Sequence, residues 1–120
     1  MLGGTRCLVV EDELLIAIDI QQELEMAGAE VACAVGLAEA MELLRGPRFD
    51  VAVLDLRLGP SGETSLPLAR QLSEAGIPFV FLTGDRRDAA EIAAFAAPVV
   101  DKPFLPAQLI AAVRKALERG

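Results

Sequence analysis

The sequence predicts an α/β fold: a doubly wound sheet of five parallel strands with helices on both faces. Three observations carry this expectation. Five short apolar runs begin at intervals of roughly 20 to 28 residues, and each is followed by apolar residues at helical spacing. The chain is 53% hydrophobic with no Trp or Tyr, so its core must be built from Val, Leu, Ile, Ala and a few Phe, as in strands buried on both faces. Its 120 residues suffice for one core, and residues 1–120 are read as one domain with one site.

Residues 6–10 form the first apolar run, which stops at Glu11-Asp12-Glu13. Ile16, Ile20, Leu24 and Ala27 then recur at helical spacing, and Gly28 supplies a stop. Residues 30–35 read as a second strand. Leu37, Ala40, Met41 and Leu44 follow as one helical face, ending near Gly46-Pro47. The third strand spans 49–56. A loop through Gly59-Pro60-Ser61-Gly62-Glu63 leads to a helix with Leu68, Ala69, Leu72 and Ala75 on one face and Pro67 in its first turn.

Residues 77–82 make a fourth strand that ends in Thr83-Gly84. Between 85 and 97 only Ala89, Ile92, Ala93 and Phe95 share a helical face, which predicts a short or irregular fourth helix. Val99-Val100 is a brief fifth strand before Asp101-Lys102-Pro103. The last helix carries Leu109, Val113 and Leu117, opens at Pro106, and ends in basic residues and Gly120.

Several function classes are excluded. The net charge of -7 argues against direct nucleic-acid binding, which needs a basic surface. The chain has no His, which removes Ser/His/Asp and Cys/His catalysis and most zinc sites. No G-x-x-x-x-G-K-[ST] is present, so a P-loop nucleotidase is excluded. No apolar run approaches the ~20 residues needed to cross a bilayer, and the first six residues do not resemble a secretory signal, so a cytoplasmic location is expected. Cys7 and Cys33 lie in apolar segments without metal-ligand spacing and are read as buried, reduced thiols.

In an open parallel sheet, ligands bind beyond the carboxyl ends of the strands. Those ends read Glu11-Asp12, Asp55, Thr83 and Lys102. Carboxylates unpaired with Arg or His are most naturally balanced by a hard divalent cation such as Mg²⁺. Asp55 is then a candidate nucleophile toward a phosphoryl group, with Lys102, the Thr83 hydroxyl and the Gly84 N–H as partners for the phosphoryl oxygens.

At these residues the chain resembles the receiver domains of two-component response regulators, from Arg6 through the last helix. Glu11 and Asp12 match the family's acidic pair, Asp55 its phosphoacceptor, Thr83 its switch hydroxyl, and Lys102-Pro103 its Lys-Pro pair. The resemblance implies a flavodoxin-like sheet of strand order 2-1-3-4-5. It implies Mg²⁺ held by Asp12, Asp55 and the backbone carbonyl of Arg57, with Glu11 acting through water, and a cis Lys102-Pro103 peptide. The phosphoryl donor would be a phosphohistidine on a sensor histidine kinase or histidine phosphotransfer protein, and a homodimer is compatible with the family. It also implies a phosphoacceptor with intrinsic self-phosphorylation and autodephosphorylation only, rather than an enzyme.

The sequence departs from the family's pattern at the switch. Val99 stands three residues before the lysine, where the family commonly has Tyr or Phe, and the interval from Thr83 to Lys102 is a few residues short. The stretches Phe81-Leu82-Thr83-Gly84, Gly59-Pro60-Ser61-Gly62-Glu63-Thr64-Ser65 and Pro98-Val99-Val100-Asp101-Lys102-Pro103-Phe104 resemble those of small stand-alone receivers of alpha-proteobacteria. Signalling is therefore expected to run through an order change of the fourth helix. Arg57 and Asp85 each lie two residues beyond a site residue, Asp55 and Thr83 respectively. In the family these positions flank the path of attacking water, so the resemblance implies that the two side chains pair across the mouth of the site and slow hydrolysis of the acyl phosphate. Phe104 and Val99 are read as core. The chain stops at its fifth helix, so its effect is expected to pass through protein contacts around helices four and five.

Two other classes share part of this chemistry. A phosphohydrolase of the haloacid dehalogenase type also uses a strand-end Asp with Mg²⁺, but it wants a second Asp two residues on, where Arg57 stands. A receiver-shaped interaction module that takes no phosphate would have no need of so complete a site.

Overall fold

The computed structural model describes residues 1–119. Gly120, read from the sequence as the end of the last helix, lies outside the described residues. Five strands form one parallel sheet: β1 (Arg6–Val10), β2 (Glu30–Ala34), β3 (Val51–Asp55), β4 (Phe79–Thr83) and β5 (Val99–Asp101), in the order β2-β1-β3-β4-β5. The connecting helices are α1 (Leu14–Met26), α2 (Leu37–Leu44), α3 (Leu66–Glu74), α4 (Ala89–Ala93) and α5 (Pro106–Arg119). The expected order 2-1-3-4-5 is therefore the observed one. Among the described residues, no helix is long and apolar enough to cross a membrane.

Strand alternation divides the core into two layers. Leu8, Val10, Ala52, Leu54, Phe79 and Phe81 point to the face covered by α2, α3 and α4, where they meet Ala40, Leu68, Leu72 and Ile92. Cys7, Val9, Val51, Val53, Val80 and Leu82 point to the other face, against Ile20 and Leu24 of α1 and Leu109 and Val113 of α5. Every residue of β3 is buried, because a central strand is covered on both sides. Its terminal carboxylate is thus delivered to the sheet edge by a fully desolvated strand.

Two local features shape the site. After β3 the chain forms a small antiparallel ribbon, Arg57–Leu58 against Glu63–Thr64, where the sequence suggested only a loop. Gly59 and Gly62 have φ of +78° and +84°, and these left-handed residues let the ribbon close. The fourth crossover is short, as expected from its length: a 3₁₀ turn, Arg86–Asp88, leads directly into the five-residue α4. Ala96 then adopts φ 54°, a left-handed conformation that costs an alanine about 1 kcal/mol. Phe95, just beyond α4, secures the segment by edge-to-face contacts with Phe79 and Phe81, at centroid separations of 5.8 and 5.6 Å.

Val99 is 45% exposed, which corrects its assignment to the core. It lies on the edge strand, pairs with Phe81, and borders a groove of about 420 Å³ shared with Ala89, Ile92, Ala93, Ala96 and Ala97. Phe104 is half-buried against the α1/α5 layer. Cys7 is a buried free thiol, pushed up to about 12 by burial first and then by Cys33, whereas Cys33 is only half-buried.

Candidate functional site

The carboxyl ends of β1, β3, β4 and β5 converge on one edge of the sheet. Glu11 follows β1 and extends its pairing, with its N–H donating to Ala34 O at 3.0 Å, and it is buried. Asp55 ends β3 and is 6% exposed. Thr83 ends β4, and its carbonyl accepts the N–H of Lys102 at 2.8 Å, which fixes the lysine one step beyond β5. The Lys102–Pro103 peptide is cis. Asp12 and Gly84 border the same mouth, a cavity of about 410 Å³, and both are more open to solvent than Glu11.

Lys102 is the electrostatic hub. Its Nζ lies 3.1 Å from Glu11 Oε1 and 3.0 Å from Asp55 Oδ2. The ammonium is paired with two members of a three-carboxylate cluster, in which Glu11, Asp12 and Asp55 each offer an oxygen within 4.8 Å of the others. The excess negative charge is visible at Glu11, whose carboxyl is pushed up to about 8 by burial and then by the Asp55 carboxylate, against the opposing pull of Lys102. Lys102 is itself raised: burial opposes its charge, but the Asp55 and Glu11 carboxylates outweigh it.

The sign of the Glu11 shift fixes a pH dependence. A carboxyl raised from 4.5 to about 8 binds its proton more tightly folded than unfolded, so its contribution to stability is fully present below 4.5 and is lost as pH rises to about 8. In the metal-free protein, the melting temperature should fall across this window, and Glu11→Gln should flatten the fall. Parallel pH profiles for the two proteins would refute the assignment.

Asp55, Glu11, Asp12, Lys102, Thr83 and Gly84 are thus brought to one place. The expected pair between Arg57 and Asp85 is not what the structure forms. Arg57 Nη2 instead donates to Asp88 Oδ1 at 2.6 Å. Asp85 is engaged by Arg87, whose Nη2 lies 2.7 Å from Asp85 Oδ2, and that guanidinium holds the Asp85 carboxyl down at about 2. The 3₁₀ turn explains the exchange, because it carries Asp88 inward beneath Arg57 and leaves Asp85 next to Arg87.

Asp88 went unnoticed in the sequence, yet it is 1% exposed. Its Oδ2 accepts the Thr83 hydroxyl at 2.8 Å, and the same hydroxyl accepts the Asp85 N–H at 3.2 Å. The only sequence signal was an acid five residues beyond Thr83, hidden in a run of exposed-looking charges.

The donor set suits a hard cation. Three carboxylates around a solvent-open mouth provide oxygen ligands and room for retained water, which is how Mg²⁺ binds. The surplus of carboxylates over ammonium at the site calls for such a charge.

The model of the response regulator receiver domain matches residues 7–114. The chain is 35% identical over 117 residues to the transcriptional regulatory protein YvrH of Bacillus subtilis, covering 93% of this chain and 48% of that protein. It is 32% identical over 116 residues to the aerobic respiration control protein ArcA of Escherichia coli, again covering 93% of this chain and 48% of the relative. The chain therefore spans about half the length of the curated relatives it matches. Among solved structures, SdrG from Sphingomonas melonis Fr1 is similar at 36% identity and a TM-score of 0.78, covering 95% of this chain and 96% of that one. The chemotaxis protein CheY4 of Vibrio cholerae aligns at 25% identity and a TM-score of 0.82, covering 94% and 98%. The chain belongs to the receiver domain family of two-component response regulators.

Proposed function

We propose that Asp55 accepts a phosphoryl group from the phosphohistidine of a sensor histidine kinase or histidine phosphotransfer protein, with residues 1–120 acting as one receiver unit. An Asp55 carboxylate oxygen attacks phosphorus, the P–N bond to the donor imidazole breaks, and its nitrogen keeps the electron pair and takes a proton. The observation that carries this reading is the Lys102 ammonium bridging Glu11 and Asp55 at the exit of a buried strand.

In this reading Asp12, Asp55 and the Arg57 carbonyl hold Mg²⁺, and Glu11 acts through water. When bound, the ion offsets negative charge on the transferring oxygens. Lys102 takes one phosphoryl oxygen, and the Thr83 hydroxyl with the Gly84 N–H takes another. The acyl phosphate then alters the surface around α4 and α5 to control protein partners. Val99 is too small and too exposed to relay the state of Thr83 as an aromatic rotamer would, so the change passes through the α4 segment itself.

The test is incubation with a phosphorylated kinase or acetyl phosphate, with and without Mg²⁺, followed by mapping of the modified residue. One phosphoryl group on Asp55, lost in chelator, is the expected result, together with shifted amide signals across residues 85–97 on adding beryllofluoride and Mg²⁺. Modification that needs no divalent ion, or that maps elsewhere, would refute the reading.

A further inference from the structure

Both oxygens of the Asp88 carboxylate are spoken for. Oδ1 accepts Arg57 Nη2 at 2.6 Å and Oδ2 accepts the Thr83 hydroxyl at 2.8 Å. Asp88 is 1% exposed, so each of these hydrogen bonds replaces water that the carboxylate has lost. The Thr83 hydroxyl has one proton to give. Of the two acceptors within reach of Thr83 Oγ1, Asp88 Oδ2 at 2.8 Å is closer than the Asp85 carbonyl oxygen at 3.2 Å, and a phosphoryl oxygen on Asp55 can receive the proton only if that nearer bond is given up. Asp88 also occupies the boundary between the 3₁₀ turn and α4, where its side chain makes no capping hydrogen bond.

We propose that Asp88 is a positioning residue that holds the Thr83 hydroxyl away from the phosphoacceptor and competes with the phosphoryl group for it. This rests on the reading of Asp55 as the phosphoacceptor. When the hydroxyl swings to the phosphoryl group, the buried carboxylate keeps, among the described residues, only Arg57 as a partner, and a buried charge that loses a donor must find another. The 3₁₀ turn and α4 are thereby coupled to the state of Asp55 through one exchanged proton donor, with no aromatic side chain required.

The test is a double-mutant cycle in the full chain, reading beryllofluoride affinity in Mg²⁺ from the amide signal of Asp85, whose N–H donates to Thr83 Oγ1. Asp88→Asn keeps the shape but makes the acceptor neutral and the hydrogen bond weaker, so it should bind beryllofluoride roughly tenfold tighter than wild type. In a Thr83→Ala background the same substitution should change affinity by less than about twofold. Equal or weaker binding by Asp88→Asn would overturn the proposal. So would a gain that persists without the Thr83 hydroxyl, since that gain would belong to Arg57.

If Asp88→Asn does not fold, the carboxyl ¹³C signal of Asp88 in the wild type serves instead. It should move when beryllofluoride binds, and an unmoved signal overturns the competition. A wild type that takes no beryllofluoride would defeat the phosphoacceptor reading itself, whereas wild-type binding with an inert Asp88 defeats only this inference.

Discussion

Asp55→Asn should take up no measurable phosphoryl group from a phosphohistidine donor or acetyl phosphate, a fall of roughly 10⁴-fold or more, as expected when a nucleophile is removed. An amide oxygen is a poor nucleophile, and Asp55 is the carboxylate that ends a strand buried along its whole length. The same substitution should raise stability. Three carboxylates cluster at the site and Lys102 pairs with two of them, so removing one brings the cluster nearer neutrality. In chelator the gain should be about 1 kcal/mol, or about 3–5 °C in melting temperature, and it should shrink when Mg²⁺ is added. Phosphotransfer kinetics and thermal melts check both effects. Retained labelling would move the nucleophile to Asp12, and a lowered melting temperature would show that Lys102 needs Asp55 more than the carboxylates repel one another.

Lys102→Ala should act in the opposite direction on stability and the same direction on chemistry. The lysine is largely buried and holds Glu11 and Asp55 together. Its loss leaves two buried carboxylates without a cation, at a cost of about 2 kcal/mol. Because Lys102 is raised above its ordinary value, the wild-type contribution is fully present below pH 10.5 and disappears only as pH rises through the higher folded value. Glu11 modulates what is seen in between. Below pH 8 it can take a proton and soften the loss, so the destabilisation should deepen as pH rises through about 8. Melts at pH 6 and pH 9 measure this directly. Phosphotransfer should fall about 100-fold, the scale of removing one donor to a developing oxyanion. Unchanged transfer would detach Lys102 from the phosphoryl oxygens and leave it a structural counterion.

Much of this architecture was legible because strands and site residues announce themselves in different ways. Continuous apolar runs such as Cys7-Leu8-Val9-Val10 and Val51-Ala52-Val53-Leu54 read as central strands covered on both faces, and Asp55 stood out as the polar residue such a run should not end in. The convergence of Glu11, Asp55, Thr83 and Lys102 followed from the sheet rule alone. Asp88 was hidden because its burial is made by a three-residue 3₁₀ turn, too short to show a sequence period, in a segment of mixed charges. The misassigned partner of Arg57 has the same origin: counting two residues beyond Thr83 identified Asp85, but the tighter turn brings Asp88 to the guanidinium. Val99 was assigned to the core because it is apolar, although an edge strand beside a short helix leaves one of its sides uncovered.

The aromatic trio beneath α4 has a practical optical consequence. With no Trp or Tyr, the near-ultraviolet dichroism of the chain belongs to five phenylalanines. Three of them, Phe79, Phe81 and Phe95, interlock edge to face with centroids 5.4 to 5.8 Å apart. Two of these rings are anchored in β4 and the third follows α4 directly. Their vibronic bands therefore depend on how α4 is seated, and the unlabelled protein carries its own spectroscopic gauge of the segment through which its signal would leave.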